Sequence, residues 1–221
     1  MTSCSALSRQ ERPLEFLAQI REALDSHGRC VIQECYMPYM LGRNSYDSIC
    51  HQQLAYYALK QIRWMAQKVA LKIIEIELNP AGAGTAVISL ARRESPYEHS
   101  ATVENILDEE AREGLHTWYP YECFANRVIS GLTLLRAFLD RARDARKSVC
   151  ALGAARSGNV ILQCCHATET DIEKIGEINA AKVGTFTPGT LLPIVLEEDV
   201  LERRPSFLLV LPWYLRGTFL R

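Results

Sequence analysis

The sequence predicts an α/β protein with two lobes and a long helix between them. Three observations predict this class: a helix followed by a strand from Pro13 to Pro38, a helical repeat from Tyr121 to Arg146, and a strand, a glycine turn and a helix after Lys147. With 221 residues, 48% of them hydrophobic, the chain can fill a normal core.

The first predicted element is a helix that begins at Pro13, with Gly28 as its C-terminal cap. Its apolar residues recur at helical spacing: Phe16, Leu17, Ile20 and Leu24. A short strand through Val31 and Ile32 comes next and ends near Pro38. Because a helix followed by a strand normally lies against earlier strands, we expect an unpaired sheet edge near this start.

Residues 54 to 90 are predicted to form a helix and two paired strands. The helix spans Leu54 to Met65, and the strand from Val69 to Leu78 is rich in β-branched residues. The turn Gly82-Ala83-Gly84-Thr85 leads into a second strand, Ala86 to Leu90. We therefore expect an antiparallel pair at a sheet edge.

The charged residues in the middle of the chain predict solvated helix faces. In the segment from Arg92 to Gly114 we expect an exposed acidic cluster: Glu109, Glu110 and Glu113. The helix from Tyr121 to Arg146 has apolar residues at steps of three or four: Phe124, Val128, Leu132, Leu135 and Leu139. Basic residues crowd its C-terminal end, where cations suit the helix dipole, and we expect them to be solvated rather than to form a binding patch: Arg136, Arg141, Arg143, Arg146 and Lys147.

The last third of the chain has the pattern of a small nucleotide-fold-like lobe. A strand, Val149 to Leu152, is followed by the turn Gly153 to Asn159, a helix from Val160 and a buried strand, Phe207 to Leu211. Backbone N–H groups of the turn could face an anion at the helix N-terminus, where Arg156 would add charge. The spacing matches neither a Walker loop nor Gly-x-Gly-x-x-Gly. The sequence therefore leaves two alternatives, a tight structural turn or a turn that binds phosphate.

Composition argues against several classes of partner. The net charge of -1, from 25 basic and 26 acidic residues, gives no field that would draw the chain onto nucleic acid or an anionic membrane. No apolar run approaches the roughly 20 residues that span a bilayer, and the start is polar, so we expect a cytoplasmic protein with no membrane partner. The eight cysteines never form a Cys-x-x-Cys pair, which predicts no zinc or other metal site.

Ordered motifs carry a resemblance to a known family. They are Asn44 to Tyr57, Gly153 to Asn159, Thr187 to Ile194, and Arg204 to Phe207 with Leu211-Pro212-Trp213. Together they resemble the S-adenosylmethionine-dependent nucleotide-sugar C-methyltransferases, which act on deoxysugars. In that family a nucleotide-linked keto-sugar loses a proton beside its ketone, and the enolate takes a methyl group from S-adenosylmethionine.

The resemblance implies a domain order and a fold. Residues 1–95 would be a truncated, partial Rossmann-like methyltransferase lobe, 96–147 a helical connection, and 148–221 a small Rossmann-like domain of the C-methyltransferase C-terminal type. This last domain would help to hold a nucleotide sugar, with dTDP as the candidate nucleotide. The residues implied in substrate binding are Asn44, Tyr56, Arg156, Ser157, Asn159, Asn179, Lys182, Thr187 and Thr190. For Asn179, Thr187 and Thr190 a turn-forming role stays equally open.

Departures from the family pattern predict a loss of catalysis. The family's acidic residue and second histidine are Gln52 and Gln53 here, and an amide cannot take up a proton near neutral pH. His51 is the one residual catalytic candidate, although a lone histidine beside a helix start is more often a structural hydrogen-bonding residue. Ser157 stands where the family has a lysine. The family's glycine-rich loop for S-adenosylmethionine and its zinc-binding cysteines have no counterpart in this sequence.

The sequence leaves three functional hypotheses. The first is a catalytically silent nucleotide-sugar-binding protein without a cofactor of its own, acting with a protein partner or as a homodimer. The second is one half of a split C-methyltransferase, in which a partner chain supplies the loop that binds S-adenosylmethionine. The third is a decayed gene product with no selected activity.

Overall fold

The computed structural model describes residues 1–80 and 84–213, which form two compact units. Unit 1 comprises Met1–Ser45 and His51–Phe124, and unit 2 comprises Tyr46–Cys50 and Ala125–Arg221. Each unit holds one four-stranded sheet with helices. The predicted α/β class is confirmed.

Unit 1 is built on a mixed sheet. Its elements are β1 (Thr2–Cys4), α1 (Pro13–Ala23), β2 (Arg29–Cys35), α2 (Met37–Gly42), α3 (Leu59–Lys68), β3 (Leu71–Asn79), β4 (Thr85–Arg92) and α4 (Ala101–Arg112). The strand order is β1-β2-β4-β3, with β1 parallel to β2 and the other neighbours antiparallel. The predicted antiparallel pair at a sheet edge is therefore confirmed, since β3 is an edge strand. Of its predicted turn, Gly82 and Ala83 lie outside the described residues.

The core of unit 1 follows the predicted helical spacing in α1. Leu17 and Ile20 of α1 are buried, and they belong to one apolar cluster with Leu59 and Ile62 of α3 and with Ile88 of β4. Burial of these side chains removes apolar surface from water, which is the main favourable contribution to folding. The helices thus pack where their apolar stripes predict.

Two predicted helix boundaries in unit 1 are wrong. Helix α1 ends at Ala23, and Gly28 is not its cap; the Gly28 N–H instead donates to the Asp25 carbonyl at 2.9 Å in the turn before β2. Helix α3 begins at Leu59 rather than Leu54. The N–H groups of Leu54 and of the residue after it donate to the carbonyl of Ser8, at 2.9 and 3.1 Å, which holds this stretch out of the helix.

The predicted exposure of the acidic cluster is wrong for Glu110. Glu109 and Glu113 are exposed, but Glu110 is buried in unit 1. Its carboxylate accepts hydrogen bonds from the N–H groups of Leu59 and Lys60, at 2.6 and 3.0 Å. Because the first N–H groups of a helix have no intrahelical acceptor, Glu110 serves as the cap that residue 58, an alanine, cannot provide.

Unit 2 is built on a fully parallel sheet. Helix α5 (Tyr119–Asp144) crosses the boundary between the units, which falls after Phe124; then follow β5 (Val149–Leu152), α6 (Arg156–Cys164), β6 (Ile175–Glu177), β7 (Ile194–Leu196), α7 (Glu197–Glu202) and β8 (Phe207–Val210). The strand order is β7-β6-β5-β8. The core gathers side chains from α5, α6 and the sheet around Leu139, Leu162 and Ile175.

The structure corrects two expectations for unit 2. Helix α6 begins at Arg156 rather than Val160, so the predicted turn shortens to Gly153–Ala155. Strand β8, predicted to be buried, is an edge strand whose Phe207 and Leu208 are 41% and 40% exposed. The strands β6 and β7 have three residues each, too short for a hydrophobic period to show in the sequence.

We expected the basic end of α5 to be solvated, but two of its arginines bind a buried acid. Arg136 and Arg143 both bind the buried carboxylate of Asp171, with Nη1–Oδ distances of 3.0 and 2.9 Å. Burial alone would raise the pKa of Asp171, but the hydrogen bonds from Arg136 and Thr168 outweigh burial and hold this pKa at about 2. The arginines therefore neutralise a buried acid in unit 2.

Candidate functional site

The carboxyl ends of the parallel strands define one edge of the sheet in unit 2. Strands β5, β6 and β7 end there at Leu152, Glu177 and Leu196. The chain order runs from β5 outward to β7 and then returns to β8 on the other side of β5. Ligands of open α/β sheets bind at the carboxyl edge, close to such a reversal. We call this region, with the loops after β5, β6 and β8, the carboxyl edge.

The backbone N–H groups of the glycine turn after β5 form hydrogen bonds within the protein. Gly153 has a φ of +85°, and a Cβ atom there would lie 2.6 Å from the ring of Pro212. The Ala154 N–H donates to Glu177 Oε2 at 3.0 Å, and the Ala155 N–H donates to the Gly153 carbonyl at 2.8 Å. These turn amides are thus engaged internally, and the close approach of Pro212 explains the glycine.

The first turn of α6 is the part of the carboxyl edge that suits an anion. Its N-cap residue, Ala155, has no side chain that could bind the first N–H groups of the helix. Arg156 and Ser157 open this helix, and Arg156 is exposed. A helix N-terminus favours negative charge through its N–H groups and its dipole.

Asn159 adds a polar group in the same turn of α6. Its Oδ1 atom is buried, and no donor within the described residues reaches it. An unpaired buried acceptor is unfavourable, so a donor from a ligand would stabilise it. Of the predicted site residues, the structure therefore brings Arg156, Ser157 and Asn159 together on one helical turn.

Glu177 is a residue of the carboxyl edge that the sequence reasoning missed. This buried carboxylate at the end of β6 accepts the N–H groups of Ala154, Ile178 and Asn179, each at 3.0 Å, and the ammonium group of Lys182 at 3.1 Å. Burial would raise the pKa of Glu177, but these hydrogen bonds and the Lys182 charge hold it below its ordinary value. An acid about 20 residues after a glycine turn was the signal available in the sequence.

Lys182 contacts two parts of the carboxyl edge. Its Nζ atom donates to the Ala154 carbonyl at 3.0 Å as well as to Glu177. The loop after β6 is thereby tied to the glycine turn after β5. Lys182, a predicted site residue, is paired within the protein here.

The remaining predicted residues of unit 2 have turn-forming hydrogen bonds. The Asn179 side chain accepts the Ala181 N–H at 3.1 Å. Thr187 is buried; its hydroxyl lies 2.7 Å from that of Thr190 and accepts the Leu192 N–H at 2.9 Å. These bonds support the turn-forming role left open above, and ligand contact by these residues stays a prediction.

Three predicted residues belong to unit 1. Asn44 has a φ of +58°, and its Oδ1 atom is buried without a donor among the described residues. Tyr56 is half-buried against Met40 and other residues of a small apolar cluster. His51 lies exposed in a turn, followed by the exposed Gln52. The structure places no second titratable group in hydrogen bond with His51 within its described residues.

Neither of two sizeable cavities is lined by a predicted site residue. One of about 410 Å³ lies between α3 and α4 beside Trp64 and Leu107. The other, of about 390 Å³, lies between α5 and the end of α6 beside Arg136 and Cys164. The described part of the chain holds no group of three His, Cys, Asp or Glu side chains that could ligate a metal ion. Within residues 1–80 and 84–213, no helix has the length and apolar character that a membrane span requires.

Comparison with known proteins identifies a family. Residues 81–221 match the family model of the C-methyltransferase C-terminal domain. The chain is also 23% identical over 199 residues to the C-methyltransferase NovU of Streptomyces niveus, an alignment that covers 90% of this chain and 47% of NovU. The chain thus spans about half the length of this curated relative. The predicted resemblance to C-methyltransferases is confirmed for their C-terminal part, and the chain belongs to the C-methyltransferase C-terminal domain family.

Proposed function

We propose that the chain binds a nucleotide sugar at the carboxyl edge of unit 2 and does not transfer a methyl group by itself. The observation that carries this proposal is the first turn of α6, where a helix N-terminus without a side-chain cap, Arg156 and the unpaired acceptor of Asn159 lie together. The diphosphate suits the helix N-terminus and Arg156, since it is an anion with several acceptor oxygens. The Asn159 acceptor instead suits a hydroxyl group of the ligand.

The topology of unit 2 supports a nucleotide as ligand. Numbered by chain order, its strands run 3-2-1-4, which is the order in one half of a Rossmann fold with the next strand added. We interpret unit 2 as a small Rossmann-like layer, with α5 as the connecting helix. In such layers a phosphate group binds at the N-terminus of the helix that follows the first strand, and here that helix is α6.

The contacts of Glu177 limit how the nucleotide binds. In dinucleotide-binding layers an acid at this place accepts the ribose hydroxyl groups. A carboxylate has about four acceptor positions, and Glu177 uses them on three N–H groups and Lys182. Ribose recognition by Glu177 would require Lys182 to leave. We therefore propose that the diphosphate, held by Arg156 and Ser157, is the anchor, and that Asn159 accepts a hydroxyl group of the ligand.

The lack of a proton acceptor beside His51 supports the catalytic silence. The family's chemistry begins with the removal of a proton beside a ketone, and Gln52 and Gln53 cannot accept one. His51 is exposed, and among the described residues no hydrogen bond orients its imidazole for proton transfer. That Asn44 and Tyr56 of unit 1 contact a ligand stays a prediction.

Calorimetric titration with dTDP and with a dTDP-linked keto-sugar tests this proposal. We expect both to bind, and we expect Arg156→Ala to weaken binding about tenfold because a charge-assisted pair is lost. Arg203→Ala is the matched control. Arg203 is an exposed arginine shortly before β8, so it lies toward the amino ends of the parallel strands, away from the carboxyl edge. Equal affinity of Arg156→Ala and the unchanged protein, or no binding at millimolar ligand, would contradict the site. Methyl transfer from S-adenosylmethionine by this chain alone would contradict the silence.

The position of β1 favours a second candidate function. This three-residue strand is the edge of the sheet in unit 1, with β2 as its neighbour. A free edge can accept a strand from another chain, and a partner could in this way supply the S-adenosylmethionine loop of a split C-methyltransferase. The test is to mix the chain with a fragment that carries such a loop: methyl transfer that needs both chains would favour this candidate. A homodimer, detected by light scattering, would instead pair two copies.

A further inference from the structure

The segment Tyr46–Cys50 is a part of unit 2 that lies far along the chain from the rest of it. The residues on either side, Ser45 and His51, belong to unit 1. Tyr46–Ser48 forms a single 3-10 turn that packs against α6. Burial, together with the nearby Cys164 and Cys165, raises the pKa of Tyr46 to about 12. Within the segment Asp47 is buried and Ile49 is exposed, and the other three residues are half-buried.

A hydrogen bond between two side chains far apart in sequence reaches this segment. The indole N–H of Trp213 donates to Asp47 Oδ2 at 2.9 Å, across 166 positions of sequence. Asp47 is only 6% exposed. A buried carboxylate is unfavourable unless it is hydrogen-bonded, so the indole bond stabilises Asp47 in this place. Conversely, Asp47 provides an acceptor for the indole N–H of the half-buried Trp213.

Trp213 is itself firmly placed in unit 2. It follows Leu211, which is 1% exposed and packs against Gly158 of α6, where a Cβ atom would lie 2.9 Å from it. Between them, Pro212 packs against the glycine turn at Gly153. Asp47 is therefore bonded to a residue that the β5–α6 connection holds in position.

We propose that Asp47 and Trp213 are a positioning pair that holds the middle of the segment from Asn44 to Tyr57 on α6. Asn44 and His51 flank the held residues, so the pair limits the conformations open to these two candidate contact residues. Neither Asp47 nor Trp213 needs to touch the ligand. The predicted effect of the pair on ligand affinity rests on the proposed function. The restraint that the pair places on the segment does not.

Hydrogen exchange of the full chain without ligand tests the holding. The Ile49 N–H, which donates to the Tyr46 carbonyl at 2.9 Å, reports on the 3-10 turn. We expect its exchange to become about tenfold faster in Trp213→Phe, which keeps a ring but lacks the N–H, and in Asp47→Ala, since about 1.4 kcal/mol is a factor of ten. Asp47→Asn keeps an acceptor oxygen and should restore most of the protection, which a loss of packing alone would not do.

The controls separate this pair from general destabilisation. Trp64→Phe changes an exposed indole in unit 1 and should leave Ile49 exchange unchanged. The double variant Asp47→Ala, Trp213→Phe should exchange no faster than the faster single variant, because each change already breaks the same bond. Unchanged Ile49 exchange in Trp213→Phe would overturn the proposal, as would equal exchange in the alanine and asparagine variants of Asp47.

Ligand titration then distinguishes this inference from the proposed function. If the unchanged chain binds the dTDP-linked sugar, Trp213→Phe and Asp47→Ala should both weaken binding, whereas Asp47→Asn should retain most of it. Faster exchange with unaltered affinity would overturn the positioning role. If the unchanged chain binds no nucleotide sugar, the proposed function fails, and the exchange data alone decide whether the pair holds the segment.

Discussion

The hydroxyl group of Tyr36 donates a 2.7 Å hydrogen bond to Glu110, a carboxylate 74 positions away in sequence. The same carboxylate accepts two backbone N–H groups at the start of α3. Burial and this bond to Glu110 raise the pKa of Tyr36. The end of β2, the start of α3 and the last turn of α4 therefore meet at one buried acid.

We predict that Glu110→Ala lowers the free energy of unfolding by about 3 kcal/mol, because it leaves three buried donors without an acceptor. Tyr36→Phe should lower it by about 1 kcal/mol, since one hydrogen bond is lost and the ring is kept. Glu109→Ala is the control; it removes an exposed neighbour and should change stability by no more than about 0.5 kcal/mol. Urea unfolding measures all three. A loss for Glu109→Ala equal to that for Glu110→Ala would contradict the capping role.

We predict that Asp171 makes unit 2 sensitive to acid. Its pKa is about 2 in the folded chain and 3.8 ordinarily, so the unfolded state binds the proton first as the pH falls. The ionised Asp171 then contributes about 2 kcal/mol above pH 4, and this contribution is lost as the pH falls from about 4 to about 2. In Asp171→Asn this part of the pH dependence should vanish, while Asp144→Asn, at an exposed carboxylate, should retain it. Urea midpoints between pH 6 and 2.5 are the measurement.

We predict that Lys182→Met raises the pKa of Glu177. The Lys182 ammonium is one of the groups that keep this pKa below its ordinary value, so its removal leaves burial less opposed. A carboxyl group whose pKa is lowered by folding stabilises the folded state at pH values above its ordinary pKa, and this stabilisation is lost as the pH falls. The variant should therefore also be less stable at neutral pH. Carbon-13 NMR titration of the Glu177 carboxyl group gives the shift. Lys147→Met, at an exposed lysine, should leave it unchanged; a Glu177 titration identical in both variants would exclude the pairing.

We predict opposite effects of alanine at two glycines of unit 2. Gly153→Ala should lower the free energy of unfolding by about 2 kcal/mol or more, since φ is +85° and the methyl group would meet Pro212 at 2.6 Å. Gly131→Ala should raise it by about 0.5 to 1 kcal/mol, because Gly131 lies within α5 and no atom lies within 4 Å of the added methyl group. Thermal unfolding of the two variants is the measurement. Tolerance of alanine at Gly153 would show that Pro212 does not require a glycine.

The sequence predicted the elements whose apolar residues repeat clearly. The stripe that includes Leu17 and Ile20 predicted α1, the repeat from Phe124 to Leu139 predicted α5, and the run Val149 to Leu152 predicted β5 with its observed bounds. The strands β6 and β7 stayed hidden, because three residues do not establish a period.

The candidate site was only partly predictable because its chemistry depends on distant partners. The turn at Gly153 and Arg156 were visible in the sequence, but the engagement of the turn amides by Glu177 was not. Glu110 and Asp171 belong to charged stretches that normally face water. Their burial depends on donors from Leu59 and Arg136, and a local sequence pattern does not predict pairs so far apart in sequence.

The five early residues that complete unit 2 have a consequence for how the protein is made. A ribosome releases Asp47 long before the indole group that it binds, which follows 166 positions later. Until then the stretch can pack on α6 only without this hydrogen bond. Because the bond closes so large a loop, we expect it to form late in folding.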